Sequence, residues 1–188
     1  MNAVMEKGEP VPFSVRKEGL LPQEEMLEVG NKQRRLKIGI PSEEHDVESR
    51  VPLTPEAVEI LTGHGHEVFL ESGAGKAANY LDTDYSERGG QIYENRKEIF
   101  ATCDVLLKIS PPTLPEIGWM KERQTLLSSF HVFTHCNDQY IRELMKKKVT
   151  AIAFETIQDE HNCYPAVRSM SAIAGTTSIL IAAEYLSN

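Results

Sequence analysis

Short apolar runs alternating with amphipathic stretches, repeated from Leu36 to Phe154, restrict this chain to a parallel sheet covered by crossover helices. Strands are predicted at 36–40, 66–70, 104–109, 125–131 and 150–154. A helix is predicted to begin at Thr54, a good N-cap, with Pro55 in the first helical position and Glu56 and Glu59 near its positive end. Ala57, Ile60 and Leu61 are expected to form its buried face, and Gly63 to stop it. Further helices are predicted at 94–102, 114–121 and 138–146. The expected fold is a doubly wound, mostly parallel α/β sheet with helices on both faces, Rossmann-like or flavodoxin-like.

At 188 residues the chain has the size of one ordinary domain. Residues 1–35 are polar, broken by Pro10, Pro12 and Pro22, and read as an N-terminal extension; residues 36–168 form the α/β domain. Residues 169–188 begin an apolar helix expected to be covered by something further along the chain, so a second domain is expected to be missing. No apolar run is judged long enough to span a membrane, and no secretory signal opens the chain. A net charge of −8 argues against a nucleic-acid surface, which needs clustered cations. Lys146-Lys147-Lys148 instead suits a helix C-terminus. The three cysteines, Cys103, Cys136 and Cys163, are odd in number and widely spaced, which favours free thiols and a cytoplasmic protein.

Gly73-Ala74-Gly75-Lys76-Ala77-Ala78 follows a strand and can be written as a relaxed dinucleotide fingerprint. That fingerprint must open a helix directly, whereas Asn79-Tyr80-Leu81-Asp82 reads as a turn and a new start. The segment also lacks P-loop spacing. It is expected to be a turn.

Two residues carry candidate chemistry. Arg50 lies in the loop leaving the first strand, just ahead of a helix, where doubly wound sheets bind ligands. Its fork could grip a carboxylate with two parallel hydrogen bonds, or pair on the surface with Glu48 or Glu44. His131 ends a predicted strand at the same edge and could exchange a proton near neutral pH, or simply be a hydrogen-bonded strand-end histidine. His131 and His135 lack a third ligand, so no metal site is expected.

Ile38-Gly39-Ile40-Pro41, Arg50-Val51-Pro52-Leu53-Thr54-Pro55, Gly65-His66-Glu67-Val68 and Glu71-Ser72-Gly73-Ala74-Gly75 appear in that order. Leu106-Leu107-Lys108, Ala151-Ile152-Ala153-Phe154-Glu155-Thr156 and Met170-Ser171 follow. Together they resemble the N-terminal domain shared by alanine dehydrogenase and the nicotinamide nucleotide transhydrogenase, over roughly residues 36–188. The resemblance implies that Arg50 binds a substrate carboxylate, that His131 is the proton donor and acceptor, and that Ser171 contacts the dinucleotide. It implies an NAD-dependent oxidoreductase, usually oligomeric, whose second domain holds most of the NAD. The transhydrogenases usually lack the histidine, which favours the dehydrogenase. One position departs: the second lysine of the family's Lys-Val-Lys-Glu-Pro is Ser110 here.

The expected function is therefore that of the substrate-binding domain of an enzyme interconverting L-alanine and pyruvate, inactive as this fragment. A transhydrogenase subunit and a non-catalytic ligand-binding relative are the alternatives. The expected partners are a small amino acid or 2-oxo acid and further copies of the chain, with no nucleic acid and no membrane insertion.

Overall fold

Four residues, Lys37–Ile40, form strand β1, which sits in the middle of the sheet and pairs on both sides with parallel neighbours. The computed structural model describes residues 35–44, 48–130 and 138–187. The chain divides into two units, Met1–Arg34 and Arg35–Asn188, and all described residues lie in the second. The expected N-terminal extension, apart from Arg35, lies outside the described residues, as do His131, His135 and Cys136.

After β1 come α1 (Pro55–Gly63), β2 (Glu67–Glu71), α2 (Asp82–Ser86) and β3 (Gln91–Tyr93). Then follow α3 (Arg96–Thr102), β4 (Val105–Leu107), α4 (Leu114–Trp119), β5 (Thr125–Ser128), α5 (Asp138–Lys146), β6 (Thr150–Ala153) and α6 (Pro165–Ser187). The six strands are ordered β3-β2-β1-β4-β5-β6, and each neighbouring pair is parallel. The strand order reverses between β1 and β4, and that is where a doubly wound sheet opens a crevice beyond its strand ends.

Alternation along the strands separates two cores. Ile38, Ile40, Val68 and Leu70 pack with Val58 and Tyr85 on one face, whereas Phe69, Leu106 and Leu126 pack with Ile99, Phe100 and Ile117 on the other. Gly39 faces α3 so closely that an added Cβ would lie 2.6 Å from Ile99 Cγ2 and 2.8 Å from Cys103 Sγ. The central strand therefore needs glycine to let the helix approach.

Thr54 caps α1 by accepting from the Ala57 N–H, with Pro55 at its start, as expected. Its buried face differs from expectation. Val58 is fully buried and Leu61 half-buried, whereas Ile60 is 61% exposed, because Pro55, Val58 and Leu61 repeat every three residues and Ile60 falls off that line. The helix α2 and the three-residue β3 were not expected. β3 is half-buried at the sheet edge and too short for a periodic signal.

The glycine segment is a turn, as expected. Gly73 has φ +77°, a single 3₁₀ turn covers Lys76–Ala78, and Asn79 ends it in the left-handed region. A second correction concerns α6. Its 23 residues carry only Arg168 and Glu184 as charges, and by length and composition it could cross a membrane, with a mean hydropathy of 1.3 over an 18-residue stretch. Its serines, threonines and Gly175 hide this by interrupting the apolar run. None of that stretch is buried, and Ile173, Ile179, Leu180 and Tyr185 are all exposed.

Candidate active site

The crevice at the order reversal is built by the residues that follow β1 and β4. Beyond Ile40 come Pro41, Ser42 and Glu43, and beyond Leu107 come Lys108, Ile109 and Ser110. Backbone groups that leave a strand lose their ladder partners and must find others. Two carboxylates supply them. Glu71, at the end of β2, accepts from Ser42 N–H at 2.7 Å, and Glu43 Oε1 accepts from Ile109 N–H at 2.6 Å.

Those carboxylates belong to a chain of charges. Arg96 at the start of α3 donates from Nε to Glu71 at 2.8 Å and from Nη1 to Glu116 at 3.3 Å. Glu116 in turn lies 3.3 Å from Lys108 Nζ, which stands 3.6 Å from Glu43 Oε2. Glu43, Lys108 and Glu116 are each at most 5% exposed. Glu116 also closes a capping box with Thr113, so α4 is anchored by the same side chain that holds Lys108. Lys108 thus serves the fold, and sequence reading missed the network because, Lys108 and Glu116 apart, its linked members are twenty or more residues from one another.

Arg50 lies in the loop between β1 and α1, with a side chain 54% exposed. Glu48 occupies its fork: Nε donates to Oε1 at 2.8 Å and Nη2 to Oε2 at 2.6 Å, while the Arg50 N–H adds a bond of 2.9 Å. The hydrogen bonds from Arg50 hold the Glu48 carboxyl below the usual carboxylate range, and those to Glu48 push the guanidinium up. The negative charge of Glu43 adds to the upward push on Arg50. The third guanidinium nitrogen meets Met170 Sδ on α6 at 2.7 Å. This bidentate carboxylate grip is the geometry a ligand carboxylate would take.

An apolar pocket of about 240 Å³ adjoins, lined by Pro52, Leu53, Lys108, Ile109, Phe154 and Ala166 among others. A more polar cleft of about 380 Å³ opens on the other side of Lys108, between Glu43, Glu44, Ser110 and Glu116. Ser171 sits one residue past Met170, exposed on α6. His131 lies outside the described residues, but its neighbour Phe130 donates its N–H to Glu155 Oε1 at 2.9 Å. Among the described residues no cluster of three metal-ligating side chains occurs. At the glycine turn the Gly73 N–H donates to the Asp82 carboxylate at 2.9 Å, and Tyr85 and Tyr80 crowd the Cβ position of Gly75.

A six-stranded parallel sheet in this order, with an arginine fork in the loop after its central strand, defines a Rossmann-like α/β domain. The family described as "Alanine dehydrogenase/PNT, N-terminal domain" matches residues 39–174, and the chain belongs to it. Alanine dehydrogenase of Methanococcus maripaludis is 37% identical over 149 residues, covering 79% of this chain and 39% of that protein. A solved L-alanine dehydrogenase superposes with a TM-score of 0.72 at 32% identity, over 78% of this chain and 40% of the other. A transhydrogenase from Sinorhizobium meliloti superposes with a TM-score of 0.59 at 25% identity, over 64% and 35%. The chain spans about 40% of the length of the curated relatives it matches.

Proposed function

We propose that this chain is the substrate-side domain of an NAD-dependent oxidoreductase that interconverts L-alanine with pyruvate and ammonia, and that it is inactive on its own. The observation that carries this reading is the Arg50 fork, which holds a carboxylate in a bidentate grip beside the switch-point crevice. Glu48 stands where the carboxylate of a small acid would bind, and the apolar pocket at Pro52 and Leu53 suits a short aliphatic group. The names of the relatives point the same way.

In this reading Arg50 orients the substrate through its carboxylate and His131 carries the proton. Ser171 touches the dinucleotide from α6. NAD, which accepts or supplies the hydride, is held mainly by a second domain; at the glycine turn here the Gly73 N–H is already taken by the Asp82 carboxylate. The assembly is a cytoplasmic homo-oligomer. The test is an assay of the longer protein that carries this domain, following NADH consumption with pyruvate and ammonium. Turnover abolished by Arg50→Ala supports the reading, and no turnover of any 2-oxo acid with NADH or NADPH overturns it.

Ser110 motivates a second reading, since a hydroxyl there removes a cation from the crevice. A transhydrogenase-type subunit would need no small-acid clamp. Hydride exchange between NADH and an oxidised nucleotide analogue, independent of alanine, would favour it.

A further inference from the structure

The cleft beside Lys108 holds more negative than positive charge. Glu43, Glu44 and Glu116 face it with Arg96 and Lys108, and Glu71 takes a further share of Arg96. Four carboxylates thus meet two cations. Buried charge is stable only when it is paired and hydrogen-bonded, and this network falls short at one atom. Glu43 is 4% exposed, its Oε1 accepts from Ile109 N–H, and its Oε2 takes no hydrogen bond, with Lys108 Nζ 3.6 Å away. Ser110 lies on the same wall, and its hydroxyl takes part in none of the described hydrogen bonds.

From this arrangement we infer that the cleft is a subsite for a primary ammonium group, with Glu43 Oε2 as its principal acceptor and Ser110 Oγ as a second. A primary ammonium carries three donors and one positive charge, which matches a carboxylate oxygen that takes no hydrogen bond, a hydroxyl outside the described hydrogen bonds and a surplus of negative charge. A carboxylate in the same place would meet Glu43, Glu44 and Glu116 at close range and be repelled. Among the described residues no set of side chains suits a metal ion. Glu43 follows β1 and Arg50 lies in the loop between β1 and α1, so both leave the carboxyl end of the same strand and can read the two ends of an amino acid. The inference rests on the amino-acid reading above and extends it: the crevice prefers the amino substrate over its oxo counterpart. The ammonium is either the α-amino group of a neutral amino acid or the distal amino group of a diamino acid.

Calorimetric titration of the full 188-residue chain with L-alanine, L-ornithine, pyruvate and methylamine tests this. The expected result is that Glu43→Gln weakens the amine-bearing probes at least tenfold and leaves pyruvate unchanged. Ornithine bound more tightly than alanine assigns the cleft to a distal amino group, and the reverse assigns it to the α-amino group. If Glu43→Gln does not fold, Ser110→Lys serves instead: a cation placed on the cleft wall weakens the amines and strengthens pyruvate. Amine binding unaffected by either variant, or all probes weakened equally, overturns the inference. Methylamine lacks a carboxylate, so its binding separates the two readings. If it binds through Glu43 while pyruvate ignores Arg50, the carboxylate clamp fails and the ammonium subsite stands.

Discussion

Lys108 Nζ lies 3.3 Å from Glu116 Oε1, and both side chains are at least 95% buried beneath the switch-point crevice. An ammonium shut away from water needs its carboxylates, and removing one member of a buried pair leaves the other uncompensated. Lys108→Met should therefore destabilise the domain by about 3–5 kcal/mol. Urea denaturation followed by circular dichroism measures it, and an effect below about 1 kcal/mol would show that Lys108 is dispensable to the fold.

Glu48 occupies the Arg50 fork as an internal competitor for any ligand carboxylate. Exposed pairs of this kind contribute about 0.2–1 kcal/mol, so Glu48→Gln should tighten pyruvate binding roughly 1.5- to 5-fold. The change in stability should be equally small. Titration calorimetry on the variant checks this, and weaker binding would mean that Glu48 supports the fork instead of competing for it.

Gly39→Ala places a methyl group against Ile99 and Cys103 at distances that side-chain atoms do not tolerate. Because α3 must move away from β1, the expected cost is about 1–3 kcal/mol. The thermal midpoint reports it. An unchanged midpoint would mean that α3 is not pinned against the sheet.

Burial pushes both the Cys103 thiol and the Tyr85 phenol up to about 12, and the Tyr85 hydroxyl donates to the Leu53 carbonyl at 2.9 Å. For each, the folded state holds its proton more tightly than the unfolded state. The stability this contributes is fully present below about pH 9 for Cys103 and about pH 10 for Tyr85, the ordinary values. It is lost as pH rises toward 12. Denaturation midpoints should fall through that window, and the fall should be smaller in Cys103→Ala. Native Cys103 should also resist thiol reagents at pH 8, where almost none of it is thiolate.

Local signals carried most of the fold. Thr54-Pro55 and Thr113-Leu114-Pro115-Glu116 hold their capping chemistry within four residues, so α1 and α4 begin where the sequence places them. Helix α5 matches its expected span of 138–146. β3 was hidden because three residues, one exposed and two half-buried, are too few to show periodicity, and Val58 was overlooked because Ile60 is the more apolar neighbour. At the site, the place of Arg50 between strand and helix left a ligand clamp and a pair with Glu48 or Glu44 both open, and the fold shows the pair with Glu48. The Glu71–Arg96–Glu116–Lys108–Glu43 network was not, because only the sheet order brings β1, β2 and β4 together. Lys108 read as part of a motif, whereas in the fold it is a buried structural cation.

The central claim is that Arg50 holds the carboxylate of a small substrate, and titration of pyruvate into the wild-type chain and into Arg50→Ala tests it most directly. A carboxylate pair at a half-exposed fork contributes about 0.2–1 kcal/mol, so the variant should bind roughly 1.5- to 5-fold more weakly. Its thermal midpoint should change little, since the fork is half exposed. Pyruvate bound equally well by both proteins would contradict the account.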